Sequence, residues 1–179
     1  MSRGNHSWAE DVGTAYTDAR YRVGTRRTQH VTEVLGAALF PAGVGGLTTG
    51  PATEGEREWV FARSTDGAAA FAQGEVAIRE TGAGADEWVA IRSDATVDAG
   101  RVIGVAQYAV ADDSWGWVLR CGYGEVEGDG AVTADTSIVS AAAGRATNLG
   151  TANEEAVFGF SFEADGAAGS LFTARIDLP

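Results

Sequence analysis

The chain has 179 residues, 45% of them hydrophobic and 21% charged, which suits one folded domain with an extension, or two small ones, and is enough to bury a real core. Its net charge of -12 and pI of about 4.4 make nucleic acid and anionic membranes poor partners, because binding phosphate needs clustered cations. A single cysteine, Cys121, excludes an intrachain disulfide and a cysteine metal cluster; its apolar and glycine neighbours suggest a buried structural thiol.

There are 25 glycines and only 3 prolines, and the glycines are scattered, as in a protein of short strands joined by tight turns. All 13 positive charges are arginine. Coding bias accounts for this, as does adaptation to salt or a use for the Arg fork at interfaces. Five of the arginines lie in residues 1–30 against Glu10, Asp11 and Asp18, so that region is mildly basic and the remainder strongly acidic. Such an arm can lie across an acidic neighbour, including another copy of the chain.

Met1–Gly24 is polar and patternless, with Trp8, Tyr16 and Tyr21 set in it. It cannot build a core alone, so it reads as an arm that docks on something else or as a frayed tail. It has no apolar stretch of the signal-peptide kind, and no run of the chain approaches the roughly 20 apolar residues that span a bilayer. Gly24-Thr25-Arg26-Arg27 reads as a turn. His30–Phe40 is either a short strand or one irregular turn of helix, ended by Pro41. Pro41–Gly55 is glycine-rich and marks the boundary between an extended arm with its linker, residues 1–55, and a β-rich body, residues 56–179. Deleting residues 1–50 is expected to leave the body folded.

From Glu56 the pattern becomes short strands and turns. Strands are expected at Glu58–Arg63, Glu75–Glu80, Trp88–Arg92, Val102–Gln107, Trp115–Arg120, Glu125–Glu127, Thr136–Val139, Val157–Glu163 and Leu171–Leu178. Val102–Gly124 is a hairpin with a polar turn at Ala111–Ser114, and Gly122 and Gly124 close it. Phe158, Phe160 and Phe162 alternate and are expected on one face. About ten short strands with turns every 8–12 residues or so define an all-β fold, a compact barrel or sandwich. The βαβ alternation of a doubly wound sheet is missing.

No catalytic pattern emerges. Asp112-Asp113 sits in a turn, Glu154-Glu155 precedes a strand, and Glu125 and Glu127 read as a solvated face. Glu127–Asp135 is the nearest approach to a calcium loop, but lacks the EF-hand spacing and reads as a plain turn. His6 and His30 both lie in the arm region, with no clustered partners for zinc or a triad. The glycine stretch at Gly43–Gly50 lacks the lysine of a P-loop. No cofactor, metal or enzymatic activity is expected. Trp59, Trp88 and Trp117 read as core. Trp115 shares a face with Trp117, and is either core or an interface anchor; tryptophans stacking on a sugar are the functional alternative.

Two segments carry a resemblance. One is EWVFARSTDGAAAFAQGE at Glu58–Glu75, preceded by Gly24-Thr25-Arg26. The other is Gly100–Asn148, where "GVAQ" is followed by a polar turn, an aromatic-Gly-aromatic-Val strand, a Gly-x-Gly turn, and then "Val … Ala-x-Asp … Ala-Gly-x-Ala". Over roughly residues 56–150 the chain resembles the capsid decoration, or cement, proteins of tailed bacteriophages. The long amino-terminal region and the triple-Phe strand depart from the pattern. The resemblance implies a barrel-like body that forms a homotrimer and sits on the outer surface of an icosahedral virion. It also implies binding to the major capsid protein, and no contact with nucleic acid or membrane. The interface candidates are Trp8, Tyr16, Tyr21, Arg22, Arg26, Arg27 and Trp115. A receptor- or carbohydrate-binding virion module, such as a head fibre or tail component, is the alternative.

Overall fold

The computed structural model describes residues 15–18, 20–29, 57–65, 70–80, 88–93, 101–150 and 156–179. Trp8, both histidines, the expected element at His30–Phe40, the linker at Pro41–Gly55, the turns at Thr81–Asp86 and Asp98–Gly100, and Glu154-Glu155 lie outside these residues.

The described residues form ten strands: β1 (Arg26–Gln29), β2 (Arg57–Ser64), β3 (Val76–Arg79), β4 (Val89–Arg92), β5 (Val102–Ala106), β6 (Trp115–Asp129), β7 (Ser137–Ser140), β8 (Ala146–Asn148), β9 (Val157–Ser161) and β10 (Ala168–Asp177). The all-β reading therefore holds. One 3₁₀ turn at Ala142–Gly144 interrupts them.

The pairings make two closed circuits that share β6. In the first, β6 pairs with β2, β2 with β4, β4 with β3, β3 with β5, and β5 with β6 again. In the second, β6 pairs with β10, then come β9, β7 and β8, and β8 returns to β6. Each circuit is antiparallel except for one parallel contact, Arg63↔Val89 and Ser64↔Ala90 in the first and Gly128↔Ala146 in the second. Closure leaves few open edges to recruit another chain. β1 lies outside both circuits and pairs only with β2.

β6 can serve both circuits because it runs 15 residues without a break. This corrects the expected end of the strand at Gly122 and Gly124. The strand runs on through both glycines instead. Opposite β2 the register slips, Glu58↔Cys121 being followed by Trp59↔Leu119, and Gly122 has φ +108°. An extra residue in a strand switches which side chains face the core. Trp117 and Leu119 therefore share the large core with Val126, although Leu119 and Val126 are of opposite parity. Gly124 must lack a side chain, because a Cβ there would lie 2.5 Å from the Leu119 side chain and 2.8 Å from Gln107 Oε1.

A second slip explains β9. Ile138 faces Gly159 while Val139 faces Val157, so Phe158 is an extra residue. It turns into the core, fully buried, while Phe160 is 38% exposed. The three phenylalanines do not share a face, because strict alternation in sequence is broken by the bulge. Phe160 and Phe162 instead meet on the outer side, where Phe162 also touches Tyr123.

The edge of β6 beyond the slip is completed by side chains and turns. Buried Gln107 presents its amide to the Glu125 backbone: Oε1 accepts from the Glu125 N–H at 2.9 Å and Nε2 donates to the Glu125 carbonyl at 2.9 Å. Two residues on, the Glu127 N–H donates to the Gly74 carbonyl at 2.8 Å. Buried backbone groups need such partners. The hairpin of β5 and β6 is secured in the same way. Tyr108 sends its hydroxyl to accept from the Trp117 N–H at 2.6 Å. Gly116 makes room for it, since a Cβ would sit 2.9 Å from that hydroxyl and 2.7 Å from Val110.

Two apolar clusters result. The larger contains Trp59, Phe61, Val76, Ile78, Trp117, Leu119, Ile138, Phe158, Phe172 and Ile176 and runs through both circuits. The smaller holds Val60, Ala62, Phe71, Ala77, Ile103 and Val118. Strands of the first circuit are thus buried on both faces, which is why Glu75–Glu80 was only partly an alternating pattern: Val76, Ala77 and Ile78 are all fully buried.

Residues 15–18 and 20–29 pack as part of this body. Tyr16 exchanges two 2.8 Å backbone bonds with Trp115, and β1 pairs with β2 from Arg26↔Val60 to Gln29↔Arg57. Arg26 and Arg27, expected in a turn, open β1; the turn lies just before, at Val23-Gly24.

Two outcomes are expected. Replacing Gln107 by Leu, which strands the Glu125 N–H and carbonyl, should cost about 2–4 kcal/mol in denaturant unfolding. Deleting residues 1–29 should cost about 3 kcal/mol or more, because it removes buried Tyr16 and half-buried Tyr21 from the core; a truncated chain with unchanged stability would show that this segment is dispensable.

Candidate interaction surface

The sequence candidates that the structure describes fall in one neighbourhood. Tyr16 is 7% exposed, and its ring lies 6.2 Å from Phe61 and 6.4 Å from Tyr21. Tyr21 packs edge-on against Phe61 at 5.3 Å and tilted against Trp117 at 5.2 Å. Each such aromatic contact adds about 0.5–1.5 kcal/mol beyond area burial. These two tyrosines therefore anchor the segment inward, and Arg20 between them and Arg22 after them are what it presents outward.

The chain reaches this position through Gly24. Its φ of +81° suits glycine, and a Cβ there would lie 2.3 Å from Trp88 Nε1. The Gly24 N–H donates to the Phe61 carbonyl at 2.8 Å, and the Phe61 N–H donates to the Thr25 carbonyl at 2.9 Å. Thr25 closes the turn, its hydroxyl donating to the Arg22 carbonyl at 2.6 Å.

Cations sit over the rings. Arg27 lies 4.4 Å above Tyr21 and 4.7 Å above Trp117. Arg20, which the sequence reading did not single out, lies 4.9 Å above Tyr16. The signal for it was its four-residue distance from Tyr16, which has meaning in a helix but none in an irregular segment. Arg26 reaches Glu58 at 3.3 Å, and Arg22 is exposed. Trp115 is half-buried at the margin of the core, with Arg63 5.4 Å over its ring and paired to Asp113 at 2.8 Å. A ring already covered by Arg63 is a poor free platform for a sugar.

On the outer side of the second circuit lies a charged group of a different kind. Glu125, expected to be solvated, is only 7% exposed, and Arg57 only 3%. Burial, and then the neighbouring Glu163 carboxylate, push the Glu125 carboxyl above the usual range, while Arg57 pulls it back. Burial lowers Arg57 to about 10, partly offset by Glu125. Glu163 itself accepts the Thr173 N–H at 3.2 Å. Cys121, expected to be buried, is half-buried instead; burial first, and Asp177 next, push its thiol upward, so it stays protonated at neutral pH.

The loop at Glu127–Asp135 is held by hydrogen bonds. Asp165 accepts the N–H groups of Gly130 at 2.6 Å and Val132 at 3.0 Å, and Asn148 bonds Ala131 and Thr133. Among the described residues no group of three or more His, Cys, Asp or Glu side chains could hold a metal ion.

Fold and surface together define an all-β module with an arginine-bearing segment packed on its body. No family model matches the chain, and no curated protein matches it. Among solved structures it is similar to the N base of head fiber gp8.5 in bacteriophage phi29, with 15% identity, 66% of this chain and 92% of that chain covered, and a TM-score of 0.49.

The Glu125 shift has a sign that can be checked. A carboxyl whose folded pKa lies above its unfolded value favours the folded state at low pH and loses that advantage as pH rises through the carboxylate range. The wild type should therefore lose stability relative to Glu125→Gln as pH rises from about 4 to 7, measured by denaturant unfolding. A difference independent of pH would mean that Glu125 is not perturbed.

Proposed function

We propose that this chain is a non-enzymatic structural protein of a tailed-bacteriophage virion. It binds the outer surface of the icosahedral head, as a homotrimer, and stabilises the lattice of the major capsid protein. The observation that carries the reading is the ordered series of residues in Gly100–Asn148. Its pieces are framework devices: Gln107 closes the edge of β6, Gly116 admits the Tyr108 hydroxyl, Gly122 takes φ +108° beside the register slip, Gly124 leaves room for Gln107, and Gly144, at φ +76°, packs against Glu75. A resemblance built from residues that set the backbone path supports likeness in the whole body, which a few surface matches would not.

The physical properties suit the role. Two closed circuits make a body with few open edges, and a net charge of -12 favours the outside of a DNA-filled shell over its inside. Stabilisation would follow from mass action, since a protein that binds only the assembled lattice lowers the free energy of that state.

The test is reconstitution. Shells of the phage that encodes the chain, prepared without it, should take up the purified protein on their outer surface and disrupt at a higher temperature. Shells that take up none, or whose disruption temperature is unchanged at saturation, would contradict the proposal.

A further inference from the structure

With 25 acidic residues to 13 arginines, a guanidinium in this chain has carboxylates in plenty. Four of the arginines use these acids: Arg63 pairs with Asp113 at 2.8 Å, Arg92 with Glu75 at 3.3 Å, Arg120 with Glu58 at 3.4 Å and Arg145 with Glu127 at 2.8 Å. Arg101 and Arg175 make no ion pair among the described residues but stand singly, whereas the segment at residues 20–27 gathers several exposed arginines in one place. Arg20 and Arg22 are exposed, and neither makes an ion pair among the described residues. Arg26 shares Glu58 with Arg120 and keeps half of its side chain, 50%, in solvent.

What holds these arginines is rings and backbone. Arg20 lies over Tyr16, which is bridged to Trp115, and Arg22 precedes a turn closed by Thr25 and fixed by Gly24 against Trp88. Arg26 follows in β1 on the flank of β2. A guanidinium on an anchored backbone loses less freedom when it binds than one on a loose tail, and its planar fork matches a carboxylate.

We infer that Arg20, Arg22 and Arg26 form the docking surface of this chain for a carboxylate-rich protein face, and, resting on the function proposed above, that this face belongs to the capsid protein. A polyanion such as DNA fits less well, because the strongly acidic remainder of the chain repels phosphate beyond the few bases such a segment spans. A second copy is the other acidic partner in reach, and loss of self-association in the experiment below would report it.

The experiment compares binding to shells lacking the protein, at low and high salt, for the wild type, Arg22→Glu, Arg20→Glu/Arg22→Glu and the control Ala164→Glu/Ala167→Glu. The control residues are exposed on the loop after β9 and change the net charge by the same two units as Arg22→Glu. Arg22→Glu should bind about tenfold more weakly than the control, the double variant more weakly still and with a flatter salt dependence, all with unchanged melting temperatures. Arginine variants that bind shells as the control does would overturn the inference while leaving the proposed function standing. So would variants that bind shells normally but lose self-association in sedimentation, or lose binding to duplex DNA. A wild type that binds no shells would overturn the proposed function itself, and this inference with it.

Discussion

The structure depends on one shared strand and on the amide that completes its edge. β6 leaves the first circuit at the register slip near Gly122 and enters the second, and in between its backbone has no strand on one side. Gln107 fills that gap by pairing both the N–H and the carbonyl of Glu125. A buried, doubly bonded amide is directional where apolar packing is not, so it fixes how far β6 slides before the second circuit begins. The position of Phe172, Ala174 and Ile176 against the common core follows from that register.

The same economy governs charge. Inside the body, arginines neutralise buried or half-buried acids, as Arg57 does beside Glu125 and Arg92 beside Glu75. Exposed pairs of this kind contribute little to stability, so Arg20 over Tyr16 and Arg22 in its turn, which pair with no acid among the described residues, cost the fold little to keep. The acidic body thus gathers its ring-held cations at one place. The docking role proposed above asks for that arrangement.

Most of the fold was legible in the sequence, because most strands follow from β-branched and aromatic runs between turn residues. Trp59, Trp117 and the β5–β6 hairpin were read correctly for that reason. The misreadings share a cause. Gly122 and Gly124 looked like the end of a strand, and Phe158 and Phe160 looked like neighbours on one face, because a bulge leaves no trace in local periodicity. Glu125 looked solvated because the residues that meet it, Gln107 just after β5, Thr173 on β10 and Arg57 with its charge, are distant in sequence. At the candidate surface the arginines and tyrosines were visible as residue types. Their division of labour, rings inward and guanidiniums outward, depends on the pairing of β1 with β2 and of Tyr16 with Trp115, which no sequence window contains.

The central claim is that this chain is an external, structural part of a phage head. A cryo-EM map of the assembled particle tests it most directly. The account predicts density for the ten-stranded body on the outer surface at the three-fold positions of the shell, with residues 20–27 turned toward the capsid protein. A particle without this density, or with the chain inside beside the DNA, would contradict it.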